Sequence, residues 1–98
     1  MYIVSLTYTA SLDRIDDALP AHRDYLNAQF AAGHFVAAGP KVPRDGGVIL
    51  ASNMERARLD AILAADPFAG LGLATYAVTE FKATRLAPNL NLPRAEAS

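Results

Sequence analysis

Apolar and polar residues alternate along residues 2–9, Tyr-Ile-Val-Ser-Leu-Thr-Tyr-Thr, placing Val4, Leu6 and Tyr8 on one face and Ile3, Ser5, Thr7 and Thr9 on the other. Period-two alternation of β-branched and aromatic residues predicts a strand. Its less oily face is expected to line a small polar cavity. Over residues 12–32 the period changes: Leu12, Ile15, Leu19, Leu26 and Phe30 recur at spacings of three, four and seven, while Asp13, Asp16, Asp17, Arg23 and Asp24 fall elsewhere. This is the signature of an amphipathic helix. Ser11 suits its N-cap and Gly33 a left-handed terminator. Pro20 removes one helical hydrogen bond and disfavours the helical region for Leu19, so a kink or a fresh start is expected there.

Residues 34–38 predict a short second strand ended by Gly39-Pro40, and residues 47–52 a third, separated by a turn-forming stretch containing Pro43 and Asp45-Gly46. Asn53 is the expected N-cap of a second helix reaching residue 65, with Leu59, Ile62 and Leu63 as its buried stripe and Pro67 as its stop. A last strand is expected over residues 73–84, with Leu73, Ala77 and Phe81 on one face and Tyr76 and Val78 on the other. The chain then divides into a folded domain, 1–84, and an extended tail, 85–98, containing Pro88 and Pro93.

Two β-α-β halves with short connections predict an α+β, ferredoxin-like βαββαβ fold, whose two helices cover one face of a four-stranded antiparallel sheet. Several strands carry apolar or small residues on both sides, so the uncovered face is expected to pack on a second copy as a homodimer, or in a larger assembly of dimers. The composition agrees: 98 residues allow one core, and 52% hydrophobic against 19% charged residues leaves an oily surface to cover.

Other composition facts narrow the chemistry. A net charge of −1 offers no broad cationic surface, so nucleic acid is not an expected partner. No apolar run approaches the ~20 residues of a membrane span and Met1 leads straight into strand-like sequence, so no membrane partner and a cytoplasmic location are expected. The absence of cysteine excludes disulfides, thiolate nucleophiles and the usual structural zinc sites. His22 and His34, twelve apart on different elements, lack a paired-ligand spacing, and no cofactor or metal is expected. Ser5, Ser11 and Ser52 sit in ordinary strand or cap contexts without a nucleophile elbow.

His22 falls three after Leu19 and four before Leu26, inside the apolar stripe of the first helix. A buried imidazole needs a hydrogen-bond partner, and a backbone carbonyl or a carboxylate would serve. Asp66 is a candidate, because a negative charge at a helix C-terminus is disfavoured unless it has another role. One such role is to cap the short turn 67–70, with Pro67 at the first helical position. Tyr8, Tyr25 and Tyr76 are candidates to shape a ligand pocket, although aromatic residues at these periodicities also fill cores. Lys41 and Arg44, on the hairpin loop, could attract an anionic substrate, although a solvated loop charge is the simpler account.

His22, Gly33 with the following Ala38-Gly39-Pro40, Asp45-Gly46-Gly47 and Ala65-Asp66-Pro67-Phe68 together resemble the YciI-like (YCII-related) family over residues 2–82. The resemblance implies a dimeric α+β barrel fold and a catalytic histidine–aspartate dyad in a cleft, carried over to His22 and Asp66, with Phe68 joining the tyrosines as a substrate-binding candidate. Such a pair offers proton transfer, which suits isomerisation, lactone chemistry or elimination on a small polar molecule, so an acid–base lyase or isomerase is expected. The alternative is a non-catalytic small-ligand-binding or accessory dimeric domain with the same cleft.

Overall fold

In the computed structural model, which describes residues 1–90 and 92, the elements run β1 (Tyr2–Tyr8), α1 (Leu12–Ala31), β2 (Phe35–Pro40), β3 (Gly46–Ala51), α2 (Arg56–Ala64), α3 (Pro67–Gly70) and β4 (Ala74–Glu80). The four strands make one antiparallel sheet in the order β2-β3-β1-β4, the ferredoxin-like arrangement. The 85–98 tail carries no regular element over 85–90, and its last part, apart from Leu92, lies outside the described residues.

The period-two pattern sets the register. Tyr2, Val4 and Leu6 on β1 stand beside Ala51 and Ile49 on β3 and beside Val78 and Tyr76 on β4, forming the face on which the helices pack. Ile15 and Ala18 of α1, Leu59 and Leu63 of α2, and Phe68 of α3 complete this core, and Val4, Ile15 and Leu59 are wholly enclosed. Each such side chain contributes about 1.5–3 kcal/mol on leaving water. Leu73 is buried beside them although it precedes β4, and Ala77 lies on the opposite face from Tyr76. The expected last strand is thus shorter than drawn from sequence, and Tyr76 and Val78 occupy its inner side.

Several boundaries depart from expectation for local reasons. The helix α1 runs through Pro20 as a single element, with no fresh start. Ser11 caps it, accepting from the Arg14 N–H, and Gly33 follows it at φ +78°. Pro40 continues β2 instead of ending it, which an edge strand tolerates because an outward-facing N–H is not needed there. Asn53 does not cap α2. Its Oδ1 instead accepts from the Met1 amino group at 2.6 Å, and Glu55 stands at the N-cap without a side-chain bond.

Ile3, Ser5 and Thr7 do not border the cavity found between α1 and the β2–β3 side of the sheet. They belong to the uncovered face of the sheet, with Val48 and Leu50 of β3 and Thr75, Ala77 and Thr79 of β4. None of the strand residues on this face is charged, and Ile3 and Val48 are 42% and 40% exposed.

Candidate functional site

His22 projects from the inner stripe of α1, and Asp66 from the corner where α2 gives way to α3. That corner is built by its sequence. Asp66 has extended backbone, Pro67 supplies the fixed φ of a first helical residue, and the Asp66 carboxylate accepts from the Phe68 N–H at 3.0 Å. The same Oδ1 meets His22 Nδ1 at 2.8 Å, so the capping role and the histidine partnership coexist. Oδ2 accepts from the Tyr76 hydroxyl.

The Asp66 side chain is fully enclosed, with 0% exposure, while that of His22 keeps 11%. A carboxylate only accepts, so Nδ1 carries the imidazole proton and Nε2 of the neutral ring is left with its lone pair. Among the described residues Nε2 has no protein partner, yet no buried side-chain nitrogen or oxygen is unpaired there, so this atom reaches open space. Phe68 fixes the plane of the ring, its centroid lying 4.0 Å away with 7° between the planes.

The space that Nε2 meets is a cavity of about 550 Å³ between α1 and the β2–β3 side of the sheet. Leu6, Leu19, Leu26 and Ile49 give it apolar walls, Tyr8 and Phe68 aromatic ones, and His22 lies on its surface. Of the four sequence candidates for substrate contact, Tyr8 and Phe68 are therefore at the cavity. Tyr25 and Tyr76 stand behind it, with their hydroxyls committed to the Ile62 carbonyl and to Asp66. Burial pushes both phenols above their ordinary pKa, and the Asp66 charge adds to the shift, so both remain neutral donors.

Three ionised residues also line the cavity, of which the sequence alone points only to Arg44, as a charge able to attract an anionic substrate. Asp16 and Arg23 come from α1 and Arg44 from the β2–β3 loop. Arg44 is not a free loop charge: its Nη2 bonds Asp16 Oδ1, which raises the guanidinium pKa. The signal was present, since Asp16, Leu19 and Arg23 follow at spacings of three and four and share a flank of α1 with His22. His34 is remote from this cavity, its ring held between Gln29 and Arg58.

The arrangement can exchange a proton at Nε2. Asp66 orients the ring and faces the positive charge when the imidazole is protonated, while Tyr76 and the Phe68 N–H hold the carboxylate still.

Comparison with known proteins agrees with this architecture. The family model described as the YCII-related domain matches residues 1–82. No curated protein matches the sequence. Among solved structures, 5-chloro-2-hydroxyhydroquinone dehydrochlorinase from Burkholderia phenoliruptrix, in complex with 2,5-dihydroxybenzoquinone, aligns at a TM-score of 0.70 and 20% identity, covering 84% of this chain and 94% of that one. At such identity the likeness establishes a shared fold.

Proposed function

The chain belongs to the YCII-related domain family, and from that membership and the surroundings of His22 we propose that it is a small-molecule enzyme working by general acid–base chemistry. One observation carries the reading: an imidazole fixed through Nδ1 by a sealed carboxylate borders a cavity of ligand size, with its other nitrogen unpartnered among the described residues. In an elimination, Nε2 takes a proton from the substrate, the electron pair left behind forms the new double bond, and the leaving group departs with its own bonding pair. In an isomerisation the same proton returns to a different atom. The dehydrochlorinase of like fold supports elimination as the first reaction to test.

The test is a screen of hydroxylated and halogenated phenols, quinones and lactones for raised melting temperature, followed by turnover assays of each hit on wild type and His22→Gln. Turnover is expected to fall by roughly 10²- to 10⁴-fold in the variant while binding changes little. Equal turnover in the two proteins would remove His22 from the chemistry. Ligands bound by wild type but never converted would leave a binding domain.

The uncovered sheet face supports a homodimer as the assembly that holds this site. An uncharged face of β-branched and small residues matches a second copy of itself across a two-fold axis. Ile3→Lys, on a central strand of that face, is expected to give monomers in sedimentation experiments where wild type sediments as dimers. A dimer that withstands this charge has its interface elsewhere.

A further inference from the structure

The ion pair between Arg44 and Asp16 has a use beyond tying the β2–β3 loop to α1. Both residues line the cavity that His22 opens onto, and their side chains keep 36% and 52% exposure. Exposed pairs of this kind hold weakly, so an incoming anion displaces one partner at little cost. Arg23, on the same cavity wall, has no ionic partner among the described residues. Two guanidinium groups and one carboxylate leave the lining with one positive charge to spare.

We propose that Arg44 is the anion receptor of this cavity, with Asp16 its resident placeholder, and that the natural ligand is a planar, largely apolar molecule bearing a single carboxylate. The ligand carboxylate takes the place of Asp16 on Arg44, whose flat fork of donors matches a carboxylate with two parallel bonds. Asp16 then turns to water, and its charge, still near, disfavours a second anionic group. Arg23 adds attraction without direct competition. The apolar body lies among Leu19, Ile49 and Phe68, and its far end meets Nε2.

The helix sets the reach. Asp16 and His22 are six residues apart, about 9 Å along the axis of α1. A substituted benzene ring with its carboxylate is of comparable length. This assignment builds on the acid–base reading of the same cavity by giving it a substrate class, and it is tested by binding alone.

Two probes of matched shape, 2,5-dihydroxybenzoate and 2,5-dihydroxybenzamide, are titrated calorimetrically into wild type, Arg44→Gln, Asp16→Asn and His22→Gln. Wild type is expected to bind the benzoate more tightly than the amide. Arg44→Gln should weaken the benzoate by roughly tenfold or more and leave the amide within about twofold, as loss of a charge-assisted bond requires. Asp16→Asn should tighten the benzoate several-fold by removing its competitor, and His22→Gln should leave the charge preference intact. Failure of wild type to bind the benzoate, equal weakening of both probes by Arg44→Gln, or unchanged or weaker benzoate binding by Asp16→Asn would each overturn the assignment. If the preference holds while His22→Gln turns substrate over normally, the receptor stands and the acid–base reading falls. If His22 proves essential and Arg44 indifferent, the reverse follows.

Discussion

Asp66→Ala is expected to lower the unfolding free energy by about 3–5 kcal/mol, a large share of the stability of a domain this size. The carboxylate is wholly enclosed and serves three donors at once: His22 Nδ1, the Phe68 N–H and the Tyr76 hydroxyl. Alanine leaves all three without an acceptor, and each unsatisfied buried group costs about 1–3 kcal/mol before the surroundings relax. Loss of the α3 cap adds about 1 kcal/mol more. Water entering the gap would satisfy some donors, which is why the expected total lies below the full sum. Asp66→Asn keeps one oxygen for His22 and Phe68, and the Tyr76 hydroxyl can turn to accept from the new amide, so its loss should be roughly 1–2 kcal/mol. Urea unfolding of the three proteins checks this ordering. An alanine variant within about 1 kcal/mol of wild type would mean that the network does not hold the fold together.

The asparagine variant also separates scaffold from chemistry. It keeps His22 anchored but removes the negative charge that faces the protonated ring, so turnover should fall further than stability does. Tyr76→Phe makes the opposite change: the charge remains and one restraint on Asp66 Oδ2 is lost.

The inner face of β1 and the stripe of α1 could be read directly from sequence because one local period decides which side each residue takes. Positions such as His22 inherit their burial from Leu19 and Leu26 on either side. Asp66 was also legible, since Asp-Pro after a helical run has a local geometric meaning. What local pattern could not give was the partner across space. Nothing near Arg44 in the chain announces Asp16, twenty-eight residues earlier, and the pair forms only because β2 and β3 bring their loop back over α1. The same reason explains Asn53, a good cap by type, which is drawn instead to the Met1 amino group. Leu73 does not share the face of Ala77 because parity holds only within a strand, and Leu73 lies just before it.

Gly46→Ala is expected to be at least as damaging as Asp66→Ala, at about 4 kcal/mol or more, through sterics alone. A Cβ built on Gly46 would lie 1.8 Å from the Leu6 carbonyl oxygen and 2.8 Å from its carbon. These are backbone atoms of the neighbouring strand, so no rotamer change relieves the overlap and β3 must part from β1 where Gly46 pairs with Thr7. The bonds beside that pair, Lys41 N–H to the Gly46 carbonyl and Tyr8 N–H to the Asp45 carbonyl, hold the loop carrying Arg44 against the sheet. Parting the strands therefore moves Tyr8 and Arg44, two walls of the cavity, as well as weakening the core around Leu6. Gly39→Ala is the control, because nothing stands within 4 Å of the added methyl group and the change should stay within about 0.5 kcal/mol. Thermal unfolding of the two variants gives the comparison, and benzoate binding by any folded Gly46→Ala protein gives the second readout. Equal stability of both would show that the strands separate freely at this point. Wild-type stability and benzoate affinity in Gly46→Ala would show that the close approach of β1 and β3 does not govern where Arg44 stands.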